Sequence, residues 1–423
     1  MALKRSLSLI DATSVGIGAI IGAGIYVVLG LGIGLAGPSI VASIAISGAV
    51  ALFSAFSFAE LGSAIPKEGG PYAFAYELFS PFYGFIVGCL WLFAQIVSGV
   101  AISIGLASYV VLFIPSLPVK VVAVAAAALL TSLNLIGIKQ SAAVNNALVL
   151  IKVAILCAFI AFGALYVNME NFADFTPNGI YGTLQGAGII FFAYLGYGRI
   201  STLGEEVKNP ERNLPLSIML ALGISMAIYI LTGTVAAGLM GYQHLAQSGS
   251  PLADAASATG SVPLVIAVSV GAIVATTSVL LTNLIGISRV AFAMARKGQL
   301  PKSISKVSHK RGVPYVSIVL MGSLLIALTG LLDLRQAASI TNVSLLIVHM
   351  TVNASAIMLR RKAPQLLKFR APLFPLIPAL GICSCLALAL TLGAQAWLAG
   401  GAVVLISGAA YLAAKSRGKK PLT

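Results

Sequence analysis

The chain has few charged residues. Asp, Glu, Lys and Arg make up only 9% of its 423 residues, whereas hydrophobic residues make up 59%. Soluble proteins carry roughly 25% charged residues, so the composition excludes an ordinary soluble fold. A mean hydropathy of +1.02 instead indicates a chain that crosses a lipid bilayer several times.

Cysteine is also scarce, and residues of the kind that hydrolases need are missing at membrane depth. Four cysteines lie in apolar runs without CxxC spacing, at Cys89, Cys157, Cys383 and Cys385, and are interpreted as small buried hydrophobes. The sequence has no HExxH motif, and no paired acids or Ser/His pair within an apolar run. We therefore expect no enzyme activity, no metal site and no cofactor.

Acidic residues are outnumbered, with 11 Asp and Glu against 26 Lys and Arg and a net charge of +15. With the N-terminus inside, cytoplasmic segments contain every Lys and Arg except Lys120, Lys152, Arg199 and Arg335. This distribution follows the positive-inside rule and predicts a multi-pass plasma-membrane protein with both termini in the cytoplasm. The basic excess then reflects topology and anionic lipid, and it does not indicate a nucleic-acid partner.

Apolar runs of about 20 residues predict twelve membrane-spanning helices in one all-α domain covering residues 1–423. The eighth run is long enough to be tilted or to continue beyond the bilayer. The predicted spans are approximately 9–35, 39–63, 82–113, 118–137, 143–167, 183–205, 214–240, 262–294, 314–332, 338–359, 376–394 and 398–414.

The first span is rich in glycine, with Gly16, Gly18, Gly22 and Gly24 between Ser14 and Tyr26. Each glycine costs a helix about 1 kcal/mol relative to alanine. One interpretation is close helix packing, because Gly18 and Gly22 form a GxxxG pair. The other is a discontinuous helix whose main-chain groups bind a ligand, which is possible at membrane depth only inside protein or beside a watery cavity.

The sixth span is interrupted in the same way, at Gly196 and Gly198. Five spans separate it from the first, so it enters the membrane in the opposite direction. Interrupted spans at corresponding positions predict a 5+5 inverted repeat with a midplane binding site and discontinuous helices 1 and 6. The repeats cover residues 9–167 and 183–359, and two extra helices follow within residues 376–414.

Lys152 lies about nine residues into the fifth span, roughly 13 Å deep at 1.5 Å per residue. A lysine there costs about 2.5–3.5 kcal/mol and must face protein or water. It either occupies a fixed cation site or exchanges a proton, unless the helix begins later and the amine reaches cytoplasmic water.

Polar residues of span 8 either bond back to their own helix or contact Lys152 or the first break. These residues are Thr276, Thr277, Ser278, Thr282 and Asn283.

On these residues the chain resembles the amino acid–polyamine–organocation (APC) transporters over essentially its whole length. Residues 16–25 are similar to the first-helix motif of that family, and residues 191–197 with 205–215 to its sixth-helix motif. Residues 288–301 and 369–373 match two further signatures in the expected order. The resemblance implies the 5+5 inverted repeat with two additional helices.

The resemblance also implies where a substrate binds. The family's carboxylate site falls on main-chain amides of Ile20, Ala23 and Gly24. Its ammonium site falls on carbonyls of Phe192, Ala193 and Leu195, and Phe192 takes the place of the gating aromatic residue. The polarity of helix ends agrees with this arrangement.

Lys152 resembles the fifth-helix lysine with which prokaryotic members replace the sodium ion of their sodium-coupled relatives. The resemblance places it near carbonyls of Gly16 and Ile17 and near the hydroxyls of Thr277 and Ser278. The chain departs from the family at Gly198, where many members have Glu or Asp. Coupling through that carboxylate is therefore not carried over.

We interpret the chain as a secondary transporter of small neutral L-amino acids, proton-coupled or exchanging, and independent of sodium. Asp11, Glu60, Glu205 and Glu206 lie towards the cytoplasmic ends of the spans, so a cationic side chain would lack a deep counter-ion. The alternative is an exchanger of cationic amino acids or polyamines. A channel and a transporter-like nutrient sensor are further alternatives, and the sequence gives no indication of oligomeric state.

Overall fold

The computed structural model describes residues 7–66, 69–137, 142–203, 207–308 and 311–416. Glu205 and Glu206 of the sixth-helix motif lie outside these ranges. Within them the chain is helical, and the β-type pairing is confined to an isolated bridge between Leu7 and Val207. The predicted all-α class is confirmed.

The long helices follow the predicted apolar spans within a few residues. The first half contains α1 (Leu9–Ile20), α2 (Leu29–Ala36), α3 (Ile40–Ala64), α4 (Pro71–Leu78), α5 (Pro81–Val111), α6 (Val119–Ile136), α7 (Ala142–Gly163) and α8 (Gly179–Tyr194). The second half contains α9 (Pro210–Leu239), α10 (Tyr242–Gln247), α11 (Pro251–Ser257), α12 (Val262–Arg296), α13 (Tyr315–Leu331), α14 (Leu334–Lys362), α15 (Leu376–Leu390) and α16 (Ala394–Ser416). The short helices α4, α10 and α11 lie in connections and were not expected from hydropathy.

The structure shows a multi-pass helical membrane protein. In the described ranges, 8 helical segments are long and apolar enough to cross a bilayer, and the first of them runs from Leu9 to Ala64. The apolar helices α13 and α15 are shorter. The count of twelve crossings and the inverted repeat therefore remain predictions.

The α-helix is interrupted in both the first and the sixth predicted span, by extended chain and a π-helical turn in the first and by 3-10 helix in the sixth. α1 ends at Ile20, Ile21 is extended (φ −73°, ψ 102°), and a π-helical turn, Gly24–Val28, leads into α2. In the sixth span α8 ends at Tyr194 and a 3-10 helix continues over Leu195–Leu203. Both interruptions fall at the glycine-rich stretches.

The two interruptions pack main chain against main chain. A Cβ atom on Gly24 would overlap the backbone of Ala193, and one on Gly196 would overlap the backbone of Ala19 and Ile20. No side chain fits at either crossing. By contrast, Gly18 and Gly22 pack against side chains of two other helices, Val149 of α7 and Val279 of α12 respectively.

Polar contacts fix α8 to its neighbours. From α3, the Ser43 hydroxyl donates to the Thr183 carbonyl at 2.7 Å, and the Ser47 hydroxyl donates to the Ala187 carbonyl. From α14, Asn342 donates to the Gly188 carbonyl at 2.8 Å. Such hydrogen bonds matter in a bilayer, where the hydrophobic effect does little to hold helices together. The first half of the sixth span is therefore tied to both α3 and α14.

A buried ion pair joins the ends of α3 and α14. Arg360 donates to both carboxylate oxygens of Glu60 at 2.7 Å, and Glu60 is only 1% exposed. The Ala371 amide adds a third hydrogen bond to Glu60 at 2.7 Å. The segment 369–373, one of the family signatures, is thereby fixed against the same carboxylate.

We expect Gly196→Ala to destabilise the protein, because a new methyl group would meet main-chain atoms that cannot rotate away. Overpacking of this kind costs about 1–3 kcal/mol. Gly223→Ala in α9 is the matched control, since nothing lies within 4 Å of a Cβ there. Thermal unfolding of the purified protein in detergent measures both changes. Equal unfolding temperatures for the two variants would contradict the close approach.

Candidate functional site

The end of α1 leaves main-chain carbonyls without helical partners. The Ile17 carbonyl still accepts from the Ile21 amide at 2.8 Å. The carbonyls of Gly18, Ile20 and Ile21 instead accept hydrogen bonds from side chains of α7 and α9. Free carbonyls at a helix end need such partners, above all where hydrocarbon surrounds the protein.

Lys152 of α7 provides partners for two of these carbonyls. Its Nζ atom lies 3.2 Å from the Gly18 oxygen, 3.4 Å from the Ile21 oxygen and 2.5 Å from Ser278 Oγ. The residue is 1% exposed, so the alternative in which the amine reaches bulk water is wrong. An ammonium group has three donors, and three acceptors surround it. The negative end of the α1 dipole also favours a cation at this position.

The two expected carbonyl partners of Lys152 are not the ones in contact with it. α1 remains helical through Ile20, and the Ile17 carbonyl accepts a hydrogen bond from the Ile21 amide at the end of this helix. The α-carbon of Gly16 packs near side chains of Ile200 and Ala221 instead. The contacts are thus displaced towards the end of the helix, where carbonyls become free.

Only one of the two predicted hydroxyls contacts the lysine. Ser278 accepts from Lys152, whereas no hydrogen bond between Lys152 and Thr277 is formed in the described part of the chain. Consecutive residues of an α-helix point about 100° apart, so two neighbours on α12 cannot both face one amine.

Tyr229 of α9 connects the two interruptions. Its hydroxyl lies 2.8 Å from the Ile20 carbonyl oxygen and 3.3 Å from that of Ala193. The residue is fully buried. Sequence reasoning missed it, because nothing in the local pattern distinguishes Tyr229 among the 13 tyrosines of the chain.

A cavity of about 30 Å³ lies where the interruptions meet, large enough for water but not for an amino acid. Among the predicted substrate residues, Ala193 is absent from its wall, because it packs against Gly24 and its carbonyl faces Tyr229. The lining residues are Ala19, Ile20, Gly22, Ala23, Gly24, Gln95, Ser98, Ile102, Phe192, Leu195, Gly196, Arg199 and Val279.

Helix ends of opposite polarity meet this cavity. Helical structure resumes at Ala23 and Gly24, and the first amides of a helix lack internal partners and form its positive end. α8 ends beside Phe192 and Leu195, where the Leu195 amide donates to the Phe192 carbonyl. That end carries the negative pole. The arrangement can therefore receive an anionic and a cationic group of one small molecule.

A side-chain cluster completes the cavity wall. Arg199 Nη1 donates to Thr282 Oγ1 and Nη2 to Asn283 Oδ1, both at 3.0 Å. The Asn283 amide in turn donates to the Gln95 carbonyl at 2.9 Å. Thr282 and Asn283 of span 8 thus contact the sixth span through Arg199, a pairing that sequence reasoning did not identify.

Comparisons with known proteins agree with the geometry. Residues 7–412 match the family model described as amino acid permease. Two of the relatives come from Bacillus subtilis (strain 168). The branched-chain amino acid permease BcaP is 33% identical over 93% of this chain and 89% of the permease chain. A methylthioribose transporter is 32% identical over 94% and 90%. The chloroplastic cationic amino acid transporter 9 of Arabidopsis thaliana is 32% identical over 72% and 58%.

We expect Tyr229→Phe to loosen both interruptions, because buried carbonyls lose their donor at a cost of about 1–3 kcal/mol. Hydrogen–deuterium exchange should increase for residues 20–25 and 193–198, and the unfolding temperature should fall. Tyr181→Phe is the control, since Tyr181 is 61% exposed. Unchanged exchange at both segments in Tyr229→Phe would show that the hydroxyl does not hold them.

Proposed function

Because the chain belongs to the amino acid permease family, we propose that it is a secondary active transporter of small neutral L-amino acids that works by alternating access. The relatives are named as permeases or transporters, and the chain is a membrane transporter and not an enzyme. The observation that carries the substrate proposal is the pair of opposed helix ends at one cavity.

The helix ends fit the backbone of an α-amino acid. Its carboxylate would lie at the amides of Ala23 and Gly24, with Ile20 beside them. Its ammonium group would lie at the carbonyl end of α8, near Phe192 and Leu195. Charged groups at matching helix ends are stabilised by about 0.3–1 kcal/mol each at exposed sites, and by more where water is excluded.

The absence of an acid from the described cavity wall favours neutral substrates over the cationic substrates of the alternative. Glu60 is engaged by Arg360 and Ala371. Asp11 bonds to Ser8 and Asn146 at the start of α1. A cationic side chain in the cavity would therefore have no carboxylate partner among the described residues.

We propose the plasma membrane as the location, with both termini in the cytoplasm and twelve crossings. The 5+5 inverted repeat would place the α1 and α8 interruptions at equivalent positions of residues 9–167 and 183–359, with residues 376–414 outside the repeat. The mutual packing of the two interruptions supports this assignment.

Lys152 supports proton coupling and independence from sodium. Its ammonium group already occupies the position between α1, α7 and α12 where a cation would otherwise bind. A neutral amine has one donor fewer, so loss of the proton would release one of its three acceptors and loosen α1. The proton would thereby act on the same helix end that adjoins the substrate cavity.

Alternating access accounts for the small volume of the cavity. The cavity at the crossing point has a volume of only about 30 Å³. Substrate entry therefore requires the interrupted helices to separate from α5 and α12, which supply Gln95, Ser98 and Val279 to the wall. Alternating access consists of movements of this kind around a fixed site.

A thermal-shift screen against the twenty amino acids tests the substrate proposal. A ligand that binds only the folded state raises its unfolding temperature. We expect small neutral L-amino acids to do so, and D-enantiomers, arginine and polyamines to have little effect. Stabilisation by arginine or polyamines alone would favour the alternative substrate class.

We expect Lys152→Ala to abolish proton-driven uptake into proteoliposomes while the protein still inserts and folds. Uptake by the unmodified protein should increase with an inward proton gradient and remain the same with or without sodium. Lys302→Ala, at an exposed cytoplasmic position, is the control. Proton-driven uptake by Lys152→Ala at the unmodified rate, or a strict requirement for sodium, would refute the coupling proposal.

A further inference from the structure

We infer that Arg199 determines side-chain specificity, and that the preferred amino acid carries an oxygen acceptor on a short side chain. Among the neutral amino acids, serine, threonine and asparagine share this chemistry. The inference rests on the proposed function, because it concerns the substrate class of the same cavity.

The guanidinium group of Arg199 is a fixed part of the cavity wall. Its two terminal nitrogens donate to Thr282 and Asn283 of α12, each at 3.0 Å. Arg199 itself belongs to the 3-10 helix Leu195–Leu203. Two bonds from neighbouring residues fix both the place and the plane of the group. Thr282 and Asn283 are therefore positioning residues.

Further polar groups of the wall come from α5. Gln95 and Ser98 both line the cavity and are three residues apart, which places them on one face of the helix. Asn283 bonds to the Gln95 carbonyl as well as to Arg199, so the cluster is continuous from the 3-10 helix through α12 to α5. Gln95, Ser98 and Arg199 thus line one small space.

Different parts of the cavity wall would contact the charged groups and the side chain of a bound amino acid. The helix ends at Gly24 and Phe192 take its carboxylate and ammonium groups. Its side chain then faces what remains of the wall, which includes Arg199, Gln95 and Ser98. Ile102 and Val279 contribute apolar surface, which suits the carbon atoms of a short side chain.

An oxygen-bearing side chain is favoured because its oxygen restores hydrogen bonds that the polar wall loses when water is displaced from the cavity. An apolar side chain of equal size would displace this water without offering the polar wall an acceptor in its place, which costs about 1–3 kcal/mol. Sites built to hydrogen-bond a substrate group discriminate strongly against analogues that lack it. A cationic side chain would in addition meet a like charge.

Threonine and valine provide the sharpest comparison, because they have the same shape and differ by a hydroxyl in place of a methyl group. The probe is uptake of labelled alanine into proteoliposomes, with unlabelled threonine, valine, asparagine, aspartate or lysine as competitor. We expect threonine to compete at least tenfold better than valine, and lysine not to compete. Asparagine should compete like threonine, and better competition by aspartate than by either would contradict the neutral substrate class.

Arg199→Gln should reduce the threonine-to-valine ratio to within about threefold, and Arg199→Lys should retain part of the preference through its charge. Thr282→Val keeps the arginine but removes one anchor, and should lower the ratio to an intermediate value. Arg335→Gln, at an exposed position in the first turn of α14, is the matched control and should leave the ratio unchanged.

The possible results separate this inference from the proposed function. If no amino acid is taken up or competes, the proposed function fails. If alanine is taken up but valine competes as well as threonine in the unmodified protein, the inference fails while amino acid transport stands. An Arg199→Gln protein that loses all uptake equally, while Thr282→Val keeps the original ratio, would reduce Arg199 to a structural role and overturn the inference.

Discussion

The structure depends on how carbonyl groups are paired where α1 stops inside the membrane. A helix cannot end there unless other parts of the protein supply hydrogen-bond donors, because hydrocarbon supplies none. Lys152 of α7 and Tyr229 of α9 provide them, at Gly18, Ile21 and Ile20. The interruption is therefore a property of three helices and not of a glycine-rich sequence alone. Close packing, which was one interpretation of these glycines, and a discontinuous helix, which the other required, occur in the same element.

The interruptions behave as one unit because main chain meets main chain at Gly24 and Gly196, and because Tyr229 reaches carbonyls of both. α12 contacts this unit through Lys152 and Arg199. Their partners Ser278 and Thr282 are four residues apart on α12, one helical turn along the same face. A displacement of α12 would therefore act on both buried cations and, through them, on α1 and on the 3-10 helix that follows α8.

The sequence sufficed for features that depend on local pattern. Hydropathy located the long helices, and the glycines located both interruptions. Both signals are local, because the length of an apolar run and the destabilisation of a helix by glycine depend on neighbouring residues alone. Contacts between distant residues were beyond it. Nothing local joins Tyr229 to Ala193 or Arg199 to Asn283. Lys152 contacts the carbonyls of Gly18 and Ile21, one residue and more beyond the implied region near Gly16 and Ile17, because α1 stays helical to Ile20.

Charge links the proton to the substrate in the proposed mechanism. A carboxylate at the amides of Ala23 and Gly24 would lie within a few residues of the Gly18 and Ile21 carbonyls that bind Lys152. Opposite charges on the two sides of one interruption stabilise each other, so the anion favours the protonated amine. Coupling between two binding equilibria is reciprocal, and the protonated amine must favour the anion equally. A zwitterion and a proton would therefore occupy their two sites together, and the departure of either would weaken the binding of the other.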